Sequence, residues 1–245
     1  MSVQNFEYTK QSSRQKVVGD EGLKAYTRKV FQYMMTSLGL TGLVSYLILR
    51  TPLMHLFLNY NPVTHSIGYT GVGILTMLAP IGIILFMNLK QNLSAFATKI
   101  CLYAVSAVEG ASVSLLLLYA GVGVAFQAFL ITGILFGSMC LYGYMTDRDL
   151  LGLGSFLMMA LWGMIIVSLV SLFFGGVGIW FSYLTVIIFT GLIAYDTQKI
   201  KMIYSQIGGY GDYADKVAAR CALELYLDFL NVFMAILRIL GNNRD

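Results

Sequence analysis

The sequence predicts an all-α integral membrane protein, a bundle of seven transmembrane helices, on two observations. The first is composition: of 245 residues, 58% are apolar and only 11% charged, against roughly 25% charged in soluble domains. The second is arrangement. The apolar residues gather into runs of about 20, the length that crosses a hydrocarbon core roughly 30 Å thick at about 1.5 Å per residue.

Seven such runs, closed by charges or turn residues, fall at 28–49, 67–89, 96–119, 122–145, 151–174, 177–203 and 218–240. They follow a polar N-terminal tail, residues 1–25, that carries Lys10, Arg14, Lys16, Asp20, Glu21 and Lys24 and shows no signal-peptide pattern. The membrane domain is 26–241, and residues 242–245 form a short C-terminal tail. The seventh run differs from the rest. It contains Glu224, Asp228, Asn231 and Arg238, so it cannot face lipid on all sides and must be shielded within the bundle.

Orientation follows from the distribution of Lys and Arg. With the N-terminus cytoplasmic, 13 of the 16 basic residues lie inside, leaving Arg50, Arg238 and Arg244 outside. This predicts a multi-pass protein with its N-terminus in the cytoplasm; with the chain's bacterial-type motifs the expected membrane is a bacterial inner membrane, and a eukaryotic source would place it in the endoplasmic reticulum. A complete crossing by the seventh run puts the C-terminus outside, whereas a re-entrant one would leave it inside and also satisfy the rule. The complete crossing is the expectation.

Several functional classes fall away. The net charge of +4 is scattered among loops, so nucleic acid is not an expected partner. Cys101, Cys140 and Cys221 fall in three different predicted helices, and His55 and His65 share one loop without metal-ligand spacing. No Gly-rich phosphate loop follows a strand. Tyr195-Asp196 with Gly209-Tyr210-Gly211-Asp212 looks like the paired YD and GxGD motifs of intramembrane aspartyl proteases. A catalytic aspartate pair must meet inside the membrane, however, and Asp212 stands in a polar segment beside Asp215 and Lys216. Neither an enzyme nor a bound cofactor is expected, and the lipid bilayer is an expected partner.

Carboxylates inside apolar spans cost roughly 2.5 to 3.5 kcal/mol each to insert, so each needs a reason. Four qualify: Glu109, Asp196, Glu224 and Asp228. Glu224 and Asp228 are four apart and share one face of the seventh helix, a stripe that Asn231 and Arg238 continue. Asp196 stands seven residues, about 10 Å, before Ile203, and Asp228 eight residues, about 12 Å, after Arg220. Antiparallel neighbours would hold Asp196 and Asp228 at matching depth. Two carboxylates that close in low dielectric cannot easily both stay ionised; they titrate as a unit. Such a dyad suits a proton sensor and a weak cation ligand, while the bland alternative is that the two aspartates cap helices or pair with Lys199 and Arg238.

The run Gly191–Ile200 around Ala194-Tyr195-Asp196-Thr197-Gln198, with Leu225-Tyr226-Leu227-Asp228-Phe229-Leu230-Asn231-Val232-Phe233 and Leu237-Arg238-Ile239-Leu240-Gly241, closely resembles the transmembrane Bax inhibitor motif family, its bacterial members in particular. Tyr142-Gly143-Tyr144-Met145-Thr146-Asp147-Arg148-Asp149-Leu150 looks like that family's loop between the fourth and fifth helices. The resemblance implies a seven-helix fold with the last helix central, enclosed by the other six. It further implies a pH-sensitive Ca²⁺ leak channel in which Asp196 and Asp228 form the pH sensor, with Ca²⁺ and protons as the species handled. A basic latch at the end of the second helix is implied as well; its nearest match is Lys90, which lacks the bidentate fork of arginine. The other implied reading is a regulatory protein that acts on cell death or on a membrane protease through a membrane-protein partner, without flux of its own.

Overall fold

Turn chemistry sets where the long helices begin and end. The computed structural model describes residues 3–61, 66–90, 92–171 and 176–242; His65, Arg244 and the last residues of the predicted 151–174 span lie outside them. Helix α1 (Val3–Arg50) runs unbroken out of the predicted polar tail into the bundle. A short helix, α2 (Met54–Phe57), and an antiparallel hairpin of β1 (Leu58–Asn61) and β2 (Ser66–Tyr69) follow, with Leu58 opposite Tyr69.

The second predicted span starts inside this hairpin. Helix α3 (Gly71–Leu89) begins only after Thr70, whose hydroxyl accepts from the Gly73 N–H at 3.1 Å. A side-chain oxygen there satisfies an N–H that the first turn leaves open, which fixes the start. Ser94 does the same for α4 (Ala95–Ala120), accepting from the Ala97 N–H at 3.2 Å. A single residue, Gly121 at φ 80°, turns the chain from α4 into α5 (Val122–Met145), a conformation that glycine adopts without strain. Then come α6 (Leu151–Ser171) and α7 (Trp180–Ile207), closed by Gly208 in the left-handed region at φ 73°. Helix α7 therefore runs one turn past Ile203, the end expected from sequence. The last helix is α8 (Gly211–Asn242).

Among the described residues, six helices are long and apolar enough to cross a membrane, among them Glu21–Arg50 of α1 and Trp180–Ile207 of α7. Helix α8 is not one of the six, yet it reaches as far as they do. Its first turn meets the start of α4, where the Ala95 N–H donates to Asp212 Oδ2 at 3.5 Å. Its last turns share a cavity wall with Leu116 and Ala120, at the other end of α4. At about 1.5 Å per residue its 32 residues cover roughly 48 Å. From Ala214 to Leu237 no residue of α8 is exposed, and it packs against α1, α4, α5 and α7. The outward faces of α3, α5 and α6 are instead apolar and bare, as at Leu75, Ile134 and Met159. The molecule is an all-α membrane bundle built around α8.

Charges gather at the end of the bundle where α8 begins. Asp215 pairs with Lys29 of α1 and with Lys99 of α4, the latter at 3.3 Å. Arg220 Nη2 donates to the Met87 carbonyl at 2.7 Å, in the last turn of α3. The opening turns of α8 thereby tie three other helices together. Close backbone approach does the same for α5 and α7, since a Cβ on Gly143 would collide with the carbonyl of Ala194.

Asp215 stands ahead of the apolar part of α8 and titrates in contact with water. Partial burial disfavours its charge, but the ammonium groups of Lys29 and Lys99 outweigh burial and hold the carboxyl below its ordinary value. A lowered folded-state value gives a contribution that is complete above the unfolded value of about 3.9 and is lost as pH falls through the folded one. Asp215→Asn is expected to lower the unfolding free energy in detergent at neutral pH by no more than about 1 kcal/mol, since the pair is partly solvated. The wild type should then lose more stability than the variant on acidification from about pH 6 to 3; equal losses would contradict the assignment.

Candidate functional site

Aspartates 196 and 228 meet because α7 and α8 are antiparallel and joined by a tight turn at Gly208–Tyr210. Asp196 lies 11 residues before the end of α7 and Asp228 17 residues after the start of α8, so their meeting depends on how the two helices pack and not on equal distance from the turn. Both are buried, at 9% and 5% exposure, and their carboxyl groups lie within hydrogen-bonding reach of each other. Asp228 Oδ2 has no hydrogen-bond donor among the described residues. A buried carboxylate oxygen in that state carries a desolvation cost of about 1–3 kcal/mol or more, which a proton held between the two carboxyl groups removes.

One basic side chain serves the pair. Lys199, one turn after Asp196, places its Nζ 2.9 Å from both carboxylate oxygens of Glu224 and 3.8 Å from Asp196 Oδ1. Glu224 precedes Asp228 by one turn on α8, so Lys199 closes a square of four groups, two from each helix. Two thiols complete the surroundings: Cys140 of α5 beside Thr197 and Asp228, and Cys221 of α8 beside Glu224, Lys199 and Asp196. Among the described residues no three His, Cys, Asp or Glu side chains converge as a metal ligand set.

The residues after Asp196 also hold the α5–α6 loop. Gln198 accepts from the Leu150 N–H at 2.9 Å and donates to the Arg148 carbonyl at 2.8 Å, while Lys201 donates to the Tyr144 carbonyl at 2.6 Å. Tyr142 to Met145, expected from sequence to belong to the loop, form the last turn of α5, and this turn and the loop from Thr146 to Leu150 are both fastened to α7 just after Asp196.

The other residues singled out by sequence lie elsewhere. Glu109 sits half-buried in the middle of α4, on the opposite side of α8, where it faces Tyr226. The Tyr226 hydroxyl is 2.6 Å from Thr41 Oγ1, which also donates to the Ser106 carbonyl at 2.9 Å. Asn231, one turn past Asp228, donates to the Leu227 carbonyl at 2.8 Å and lines a crevice between α3, α6 and α7. Arg238, at the far end of α8, is exposed and ten residues from Asp228, so it is not the aspartate's partner. Lys90 is exposed at the end of α3, its Nζ 5.8 Å from the centroid of the Phe86 ring, and does not contact the dyad. The basic group at the dyad is Lys199, visible in sequence only as an i, i+3 neighbour of Asp196; its stronger partner, Glu224, required the packing of α8 to be known.

Lys199→Gln leaves Glu224 and Asp196 facing one another with no cation between them. Loss of one partner of a partly buried pair costs up to about 3–5 kcal/mol in a dry interior, and the 30% exposure of Lys199 reduces that; a loss of about 1–2 kcal/mol in detergent unfolding is expected. Glu224→Gln on the Lys199→Gln background should recover part of it, because the stranded charge is then gone. Additive losses would show that the two side chains act independently.

The chain has relatives over nearly its whole length. Residues 23–245 match the family described as "Inhibitor of apoptosis-promoting Bax1". An uncharacterized protein of Rickettsia prowazekii is 40% identical over 232 residues, covering 92% of this chain and 93% of the relative. The Escherichia coli K12 "Inner membrane protein YbhL" is 35% identical over 233 residues, 91% of this chain and 94% of the relative. An uncharacterized membrane protein of Streptococcus pyogenes serotype M1 is 33% identical over 229 residues, 91% and 95%. With nearly its whole length matched, the chain belongs to the Bax inhibitor family of membrane proteins.

Proposed function

We propose that the protein is a passive Ca²⁺ pathway whose opening responds to the protonation of Asp196 and Asp228. The observation that supports this reading most is the meeting of two buried carboxyl groups at the α7–α8 contact. A proton between them joins the two helices; its loss leaves two like charges in low dielectric and favours separation. Lys199, Glu224, Cys140 and Cys221 are the titratable groups that face the pair, and Lys199 competes for Asp196 when the proton leaves.

Ca²⁺ takes six to eight oxygen ligands. Two carboxyl groups with carbonyls and water make a weak site, suited to an ion that passes through instead of staying. The crevice lined by Asn231, Thr185 and Ser182 gives polar groups along α7 and α8 between the dyad and the far end of the bundle. Basic side chains crowd the opposite end, where Lys29, Lys99, Lys201 and Arg220 make their contacts. By the positive-inside rule this end faces the cytoplasm of a bacterial inner membrane, the membrane named for the Escherichia coli relative.

The test is Ca²⁺ release from loaded liposomes across the titration of the pair. Wild-type leak should change with pH, and folded Asp228→Asn, which keeps size and hydrogen bonding but cannot titrate, should show a flattened response. A one-unit shift in the pair's titration corresponds to about 1.4 kcal/mol, or a tenfold change in the closed–open ratio. An unchanged pH response in the variant would remove the dyad from the mechanism. No leak from either protein would favour the regulatory reading, in which the bundle acts through a membrane-protein partner.

A further inference from the structure

Among the described residues, the end of the bundle where α8 finishes shows no counterpart to the ion pairs of the other end. Arg238 makes no ion pair with any carboxylate among the described residues, although it stands at the mouth of a cavity of about 610 Å³. The start of α7 forms the facing wall, through Gly178, Ile179 and Ser182. The Phe181 and Ser182 N–H groups bond back to the Gly178 and Ile179 carbonyls, and what the start of this 28-residue helix offers an anion is the positive end of its dipole. Ser182 is 95% buried by its 5% exposure, lines this cavity and makes no side-chain hydrogen bond among the described residues. A cation, a helix N-terminus and an unpartnered hydroxyl thus converge on one space.

That space continues into a second one of different character. Ser182 and Arg238 also line a cavity of about 310 Å³ that descends along α8 between α3 and α6, past Ile81, Met164, Ile165 and Phe189. Helix α3 packs against α4, and α6 against α7, so the crevice lies between the two pairs with α8 as its floor. Ile81 and Ile165 at its rim are 52% and 39% exposed, which in a bilayer means exposure to acyl chains. Next to Ser182, Trp180 and Tyr183 are 58% and 50% exposed; such side chains collect at the level of lipid headgroups.

We propose that this end of the bundle binds one anionic phospholipid, its phosphate between Arg238 and the start of α7 and one acyl chain in the crevice between α3 and α6. An anion site at headgroup depth, continuous with an apolar slot that opens towards the membrane, has the shape and charge order of such a lipid. A free phosphate would leave the slot unused, and a zwitterionic lipid would bring its own cation to Arg238. The bound chain lies against Asn231 and Ala235, on the route along α8, so the lipid covers the approach to Asp228. The site itself rests only on the geometry at this end and stands whether or not the dyad gates Ca²⁺.

The experiment is native mass spectrometry of the intact protein released from mixed micelles that contain phosphatidylglycerol or phosphatidylcholine of equal chain length. One phosphatidylglycerol should be retained at about fivefold lower lipid concentration than phosphatidylcholine, from roughly 1 kcal/mol for one basic residue beside an anionic headgroup. Arg238→Gln should bring the two lipids level. Asn242→Asp, at an exposed position beside Arg238 in the same cavity, supplies a competing carboxylate and should do the same if the glutamine variant fails to fold. Inorganic phosphate at millimolar concentration should not displace the lipid. Equal retention of both lipids by the wild type, an unchanged preference in both variants, or displacement by phosphate alone would each overturn the proposal.

Discussion

Helix α8 carries Glu224, Asp228 and Asn231 along a face that hydrocarbon cannot solvate, and the rest of the bundle is arranged to take that face out of lipid. Helices α1, α4, α5 and α7 pack around it, and its interior residues from Ala214 to Leu237 are buried or half-buried. A polar group in the bilayer core must find its partner within the protein, so α8, too polar to stand outside, has to be enclosed; four helices do this in place of the expected six, while α3 and α6 pack mainly on α4 and α7. Their own outward faces can then be uniformly apolar, as those of α3 and α6 are.

Enclosure also explains why the functional groups lie where they do. Four neighbours of α8 use it in three ways: α7 meets it through carboxylates and Lys199, α4 and α1 through the Thr41, Ser106 and Tyr226 hydrogen bonds, and α5 through the ring contacts of Phe129 and Phe136 with Phe229. The apolar side with α5 holds the helix against the bundle without any need for polar partners. The α7 side is different, because like charges there can repel. A helix clamped on one side and carrying titratable groups on the other has a built-in direction in which to yield.

The two ends of the bundle contrast in the same sense. At the end where α8 starts, Asp215, Lys29, Lys99 and Arg220 pair with one another or with helix-end carbonyls, and the loops are fastened by Gln198 and Lys201. At the other end Arg238 faces open space beside the first turn of α7. Tight anchoring at one end and cavities at the other place the bundle's freedom to rearrange near the end of α8, beyond the dyad.

Sequence alone determined the class of the protein and most of its spans, because a run of about 20 apolar residues has few alternatives to crossing a bilayer. It also singled out Asp196 and Asp228, since a carboxylate inside such a run is conspicuous whatever its neighbours are. Helix ends were less legible: the hairpin ahead of α3 and the extra turn of α7 depend on Thr70 and Gly208, local features that hydropathy averages away. Partners were the least legible of all. Lys199 bonds to Glu224 across a helix contact, Arg238 is far from Asp228, and Lys90 lies over Phe86. Such pairings depend on the rotation and register of one helix against another, which the packing of small and large side chains decides only when the whole bundle comes together.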